Sequence, residues 1–323
     1  MREHDDDSEL ATLRDDAAML RAFSTLGSAD DAPARAAIAR DWADLGVSIE
    51  PSRIALACGR DDALARAIAA LCEPHDEIVT LTPGPPRVTS IARLAGVHVA
   101  QVPLARTDER FELDVAAIYD AISERTRAIV LSAPHEPTGV VLTEETHDAL
   151  GALGVPLIVD ESFARYPLDA SLDRVPSVLA RPLETLALAI SSFEIAPALG
   201  LAWIGVGGPL HDAEDTLAKL DELAIARGAL SSALLAATPA LLSSAAVARD
   251  AIRARIRRNL DVLRARAEVP WVDAGWRACA RARNENAGAR VCPGALYDLP
   301  PGWVVLSLLT DPATFDADLD ASF

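Results

Sequence analysis

Lysine is almost absent from this chain. Lys219 is the single lysine in 323 residues and every other cation is an arginine, so chemistry that needs a side-chain amine has one candidate. Cysteine is scarce too: Cys58, Cys72, Cys279 and Cys292 lack metal-ligand spacing, which argues against a disulfide scaffold or zinc cluster. They read as buried thiols of a reducing compartment, and the cytoplasm is the expected location. Positive charge is in deficit, with 30 basic against 48 acidic residues and a net charge of −18. That balance argues against a wide phosphate-binding face for nucleic acid or an anionic membrane. The opening MREHDDDSEL lacks the basic and then apolar order of a secretion signal. The one long uncharged run, residues 228–248, is rich in Ala and Ser and interrupted by Pro239, so it is read as a buried helix and not a membrane span.

What is present is a regular alternation. Short aliphatic runs at residues 53–58, 77–81, 97–102, 127–132, 156–160, 184–191 and 201–206 end in turn residues, with amphipathic stretches at 62–71, 114–122 and 144–150 between them. This predicts strands joined by crossover helices in a parallel or mixed α/β sheet. Beyond Gly207 the pattern becomes helical: Ile252, Ile256, Leu260 and Leu263 share one face, and the arginines around them read as a solvated face paired with carboxylates. A short strand is expected near 303–308. No internal repeat or low-complexity linker is present.

Five segments in order resemble the class I/II aminotransferases, the fold type I pyridoxal-phosphate enzymes. They are ACGRDDALARAIAAL from Ala57, SAPHEPTGVVL from Ser132, LIVDESFARY from Leu157, ISSFEIAPALGLAWIGV from Ile190 and ARVCPGALYDLP from Ala289. The resemblance covers about residues 23–307. It implies an α/β fold with a mostly parallel, seven-stranded-type sheet flanked by helices and a smaller α+β C-terminal domain. The implied division is a large domain over 46–240 and a small domain from 1–45 and 241–323, with the amino-terminal arm reduced to an acidic segment.

Taken residue by residue, the resemblance implies a cofactor site with most contacts replaced. The Schiff-base lysine is matched by Glu194, and a carboxylate cannot condense with an aldehyde. The asparagine on the pyridine hydroxyl is matched by Glu136, the tyrosine sharing that role by Phe163, the phosphate-gripping arginine by Ala202, the stacking aromatic by Pro85 and the substrate-binding arginine by Val305. Asp61 stands where a hydroxyl residue meets the phosphate; as a carboxylate at a helix start, it is read as an N-cap. Asp160, Gly59, Ser191, Pro137, Thr138 and Gly139 match the family. Lys219 is read as a surface lysine on a helix, with Leu220 and Leu223 on the apolar side.

The alignment predicts that Asp160, Glu136 and Glu194 converge on one cleft with His135, and that something compensates their charge. The candidates are a cationic ligand, a divalent metal held with His135, arginines such as Arg60 and Arg165, or protonation of one acid. A structural partner such as Arg165 is weighed equally with a ligand for Asp160. Two readings follow. In the favoured one the scaffold works without pyridoxal phosphate or another cofactor, Glu194 acting as general acid or base, Asp160 and Glu136 holding a small amine or guanidine, and His135 relaying a proton. In the alternative, the chain is an inactive pseudo-aminotransferase whose cleft is plugged by its own side chains, with Asp61, Glu136 and Glu194 each neutralised by an arginine. A homodimer, or a heterodimer with an active relative, is expected in either case, with no nucleic-acid or membrane partner. Residual noncovalent cofactor binding through Asp160 and Ser191 is ranked last.

Overall fold

A computed structural model describes residues 30–107, 109–283 and 291–323. The chain enters through helix α1 (Ala32–Ala43) and strand β1 (Ile54–Cys58), then α2 (Arg60–Leu71), β2 (Glu77–Thr82), α3 (Pro86–Leu94) and β3 (His98–Pro103). A small hairpin, β4 (Ala105–Arg106) and β5 (Phe111–Glu112), precedes α4 (Val115–Ala121), β6 (Thr126–Ser132), α5 (Glu144–Gly151) and β7 (Leu157–Asp160). Next come β8 (Ala187–Ser192), β9 (Leu201–Gly207), α6 (Leu210–Arg227) and the 33-residue α7 (Ser232–Arg264). The C-terminal elements are β10 (Arg277–Arg281), β11 (Val291–Pro293), β12 (Trp303–Ser307) and α8 (Pro312–Ser322).

The seven aliphatic runs read from the sequence are the seven strands of one sheet, ordered β1-β9-β8-β7-β6-β2-β3. Its pairs are parallel except where β9 runs antiparallel between β1 and β8. Both faces are buried, and strand alternation divides the side chains between two cores. Ile129, Leu131, Leu157, Val159, Ala189 and Trp203 pack on one face. Ala128, Val130, Ile158, Leu188, Ile190 and Ile204 pack on the other, beneath α2 and α6. A third core joins the distal half of α7 to the β10-β12-β11 sheet and α8, and contains Ile256, Leu260 and Leu263 as the helical spacing predicted.

Two expectations are corrected. The uncharged run at 228–248 is buried on one face only: Leu235, Thr238, Leu242 and Ala245 point inward at alternating spacings of three and four, while Val247 on the other side is 67% exposed. This helix is the one, among the described residues, long and apolar enough to cross a membrane. The thiols are not uniformly buried either, since Cys58 is exposed and Cys292 half-buried. The reading of the amino-terminal arm falls outside the described residues.

Helix α1 is anchored by Trp42, 1% exposed, which lies edge-on to Trp203 at 6.1 Å between ring centroids. Gly205 lacks the side chain that would collide with the Trp42 ring. Replacing Trp42 with Ala removes the anchor and leaves a cavity, and is expected to lower unfolding free energy by about 3–5 kcal/mol in a denaturant titration.

Candidate functional site

Strands β6 and β7 end side by side, with Ser132 opposite Asp160, and the carboxyl ends of parallel strands are where such sheets present functional groups. Beyond β6 the chain folds back tightly: the His135 N–H donates to the Val140 carbonyl at 2.7 Å, and the Gly139 N–H to the His135 carbonyl at 2.7 Å. Gly139 holds a positive φ of 75° against Val272 and Ala274, where no side chain fits. The Glu136 N–H donates to Ser132 Oγ at 2.9 Å, which aims the Glu136 carboxylate across the strand ends. Three arginines meet it: Arg60 from the start of α2, Arg87 from α3, and Arg277 from β10 of the C-terminal sheet.

Glu136 Oε2 accepts from Arg60 Nη2 at 3.0 Å and Arg87 Nη2 at 2.5 Å. Arg277 Nε lies 2.9 Å from Oε1, a charge contact and not an aligned hydrogen bond. Asp160 Oδ1 accepts from the Ser162 N–H at 3.1 Å and its hydroxyl at 2.8 Å. Its Oδ2 accepts from Arg60 Nε, with Arg87 Nη2 3.5 Å away. Aromatic faces complete the cluster: Arg60 sits 5.2 Å over Phe163, Arg277 sits 4.1 Å over Trp276, and those rings are 4.7 Å apart.

Burial alone pushes the Glu136 carboxyl up, but Arg60, Arg87 and Arg277 outweigh it and hold the group at about 2. Burial likewise opposes the charge on Arg87, yet Glu136 and Asp160 leave it above its ordinary value. His135 is brought down to about 4 by burial, against the pull of Glu136, so its imidazole is neutral near pH 7; Nδ1 lies 2.8 Å from Thr138 Oγ1. The cluster leaves little space. One cavity of about 10 Å³ lies among Arg60, His135, Glu136, Asp160, Phe163 and Arg277, and a second of about 10 Å³ among Pro85, Arg87, His135 and Asp160. Each has room for about one water.

Glu136, Asp160 and His135 therefore lie together, with Phe163 and Pro85 on the walls, but Glu194 is turned elsewhere. Its Oε1 accepts from Arg249 Nε at 3.0 Å and the Tyr166 hydroxyl at 3.2 Å. Arg249 Nη1 also donates to Asp41 at 2.8 Å. Arg165, weighed as a partner of Asp160, instead pairs with Asp41 at 2.5 Å, and Arg60 takes Asp160. Asp61 does not cap α2: its side chain is 72% exposed and 3.8 Å from Arg87, while Asp62 turns back to the Cys58 N–H at 2.9 Å. Gly59 is the residue before the helix, at φ 102°. Ser191 and Ala202 are buried in β8 and β9 and line neither cavity. No group of three or more His, Cys, Asp or Glu side chains able to hold a metal occurs among the described residues.

Arg87, Arg277, Arg249 and Asp41 were not legible as site residues. The only signal was the need to compensate several acids in a chain whose cations are nearly all arginine. Glu161, next to Asp160, was also missed: it is 1% exposed, accepts the Val178 N–H at 2.6 Å through one oxygen, and leaves the other unpartnered. Burial raises it to about 7 against the lowering pull of Ser177 and of the Val178 N–H, with Asp160 adding to the rise.

A profile of the family described as aminotransferase class I and II matches residues 9–277. The chain is 32% identical over 144 residues to a probable N-succinyldiaminopimelate aminotransferase of Mycobacterium tuberculosis, a match covering 43% of this chain and 36% of the relative. It is 32% identical over 122 residues to the aspartate/prephenate aminotransferase of Thermus thermophilus, covering 36% of this chain and 31% of that protein. The chain thus matches about a third of the length of these curated relatives. The solved N-succinyldiaminopimelate aminotransferase from Mycobacterium tuberculosis superposes with a TM-score of 0.79 at 22% identity, covering 94% of this chain and 88% of that one. Alanine aminotransferase from Pyrococcus furiosus superposes at 0.82 and 16% identity, covering 95% and 86%.

These matches overturn the expectation that no cofactor belongs to this scaffold, because the matched family and structures are pyridoxal-phosphate enzymes and point to that cofactor. The side chains now at the strand ends do not fit it as they stand: Arg60 takes the Asp160 carboxylate, and the adjoining cavities hold about 10 Å³ each.

Two outcomes follow from the buried acids. Glu136 lies below its unfolded value, so its contribution is present above about pH 4.5 and is lost as pH falls toward about 2. Glu136→Gln should cost about 3 kcal/mol at pH 7 by chemical denaturation, with the gap to the parent closing across that window. Glu161 lies above its unfolded value, so its penalty is absent below about pH 4.5 and grows as pH rises through about 7. Glu161→Gln should therefore gain on the order of 1–3 kcal/mol at pH 8 relative to its effect at pH 4.

Proposed function

The chain belongs to the class I and II aminotransferases, and we propose that it is a member that has lost amino transfer, a pseudo-aminotransferase acting as a scaffolding partner. The observation that carries this is the place of the only amine side chain. Lys219 Nζ donates to the Ala70 carbonyl at 3.2 Å, at the far end of α2. Ten residues separate Ala70 from Arg60, about 15 Å along the helix, so the amine is remote from the strand ends. The cofactor that the family uses supplies an aldehyde and an electron sink, and its capture needs an unprotonated amine beside it. Residue 194, which the resemblance matches to the family's lysine, is a glutamate held by Arg249.

The inactive reading has better support than a working acid–base enzyme. A general acid or base must reach the substrate and exchange a proton near the operating pH. Glu194 does not line either cavity, and Glu136 is ionised down to about pH 2. Arginines neutralise both, and those on Glu136 fill the cleft at the strand ends.

Incubation with pyridoxal phosphate and an amino donor, followed by borohydride reduction and peptide mass spectrometry, tests the reading. The expected result is no pyridoxyl group on Lys219 beyond that of denatured protein, and no oxo acid released. Stoichiometric labelling of Lys219, or turnover of any amino donor, overturns it. We also infer a cytoplasmic homodimer closed over the outer face of α7, where residues 228–248 carry no charge in a chain of net charge −18. Sedimentation velocity should give a dimer that Val247→Arg dissociates; a monomeric parent removes this part.

A further inference from the structure

Arg60 occupies a position that a cation should avoid. It is the first residue of α2, where unpaired N–H groups and the positive end of the helix favour anions. Its side chain nevertheless folds inward and is 16% exposed. There Nε donates to Asp160 Oδ2, Nη2 donates to Glu136 Oε2 at 3.0 Å, and the Phe163 ring lies 5.2 Å from the guanidinium carbon. Two carboxylates meet two different nitrogens of one planar group, Nε and Nη2, while an aromatic ring lies over it. That combination suits guanidinium and not ammonium, whose three donors radiate from a single nitrogen and which stacks poorly.

Both carboxylates are also held by groups other than Arg60. Ser162 fixes Asp160 through two hydrogen bonds, and Arg87 and Arg277 steady Glu136 from other directions. With Arg60 withdrawn, two arginines would face two acids, and an entering cation would restore the present charge.

We propose that Asp160, Glu136 and Phe163 form a binding site for an alkylguanidine ligand, with Arg60 as a tethered occupant that the ligand displaces. The site rests on the self-filled cleft of the preceding reading and not on the loss of amino transfer. A tethered group competes at an effective concentration of the order of millimolar or above, so the parent protein binds a free guanidine weakly and removal of the tether uncovers the site.

The test is calorimetric titration of full-length Arg60→Ser with n-propylguanidine, which reproduces the arginine side chain, and with n-propylamine, which carries the same charge. The expected result is saturable one-to-one binding of propylguanidine, at least tenfold tighter than to the parent and at least tenfold tighter than propylamine. Adding Asp160→Asn should abolish it. Equal affinity for the two cations, or no saturable binding, overturns the proposal. Should Arg60→Ser fail to fold in buffer, refolding yield decides the question instead: recovery with propylguanidine but not propylamine supports the site, and any other pattern overturns it. Lys219 labelling reads amino-transfer competence separately, so failure of one idea is distinguishable from failure of the other.

Discussion

The strand-end architecture depends on one carboxylate surrounded by three guanidinium groups. Glu136 is 5% exposed, and a charge so placed is tolerable only when its attraction to partners exceeds the cost of leaving water. Its partners come from the start of α2, from α3 and from β10, so one side chain joins the parallel sheet, two of its helices and the C-terminal sheet. The arginines are steadied in turn by Asp160 and by the stacked Phe163 and Trp276 rings. Removing either acid leaves guanidinium groups unmatched, which couples the cleft to the way the C-terminal sheet seats on the large sheet.

A second buried network follows the same logic on the other side of β8. Asp41 at the end of α1, Arg249 in the middle of α7, Arg165 after β7 and Glu194 after β8 form a chain of ion pairs, closed by the Tyr166 hydroxyl. Burial and the neighbouring Glu194 charge raise the Tyr166 phenol, so it stays a donor. Burial also opposes the charge on Arg249, but Glu194 and Asp41 more than restore it. Arginine suits both networks because one guanidinium can serve two acids at fixed angles. The near absence of lysine is thus a structural property as well as a chemical one. In these networks, acids that would disrupt a pyridine-binding cleft become internal ties, which fits the scaffold reading better than one in which they move protons.

Much of the fold was legible because strand burial on two faces leaves a strong local trace. Runs such as residues 127–132 and 201–206 are mostly apolar, and each proved to be a strand of the main sheet. The ordered motifs around Gly59, Pro137, Asp160 and Gly200 placed turns at strand ends, where short-range backbone geometry dominates. The site was legible in its acids, in His135 and in Arg60 as one of several possible partners, but not in its other arginines. Asp160 ends β7 and Glu136 lies in the turn just beyond the adjoining β6, so spacing along the chain brings them together. Glu194 lies four residues beyond the Ile190 that pairs with Asp160, yet its side chain turns away, because Arg249, 55 residues later, attracts it. Arg87 and Arg277 carry no local mark of their role.

By itself, then, the sequence determined the sheet, the approximate places of its strands, the shortage of amines and the pairing of Asp160 with Glu136. These follow from short-range patterning and residue identity. Tertiary structure decided which arginine meets which acid, sent Glu194 to Arg249 and Arg165 to Asp41, left Asp61 in solvent, and filled the cleft with Arg60. Those outcomes depend on charges far apart in the chain, such as 55 residues in Glu194–Arg249 and 208 in Arg249–Asp41, whose directions exist only after the helices and sheets have packed.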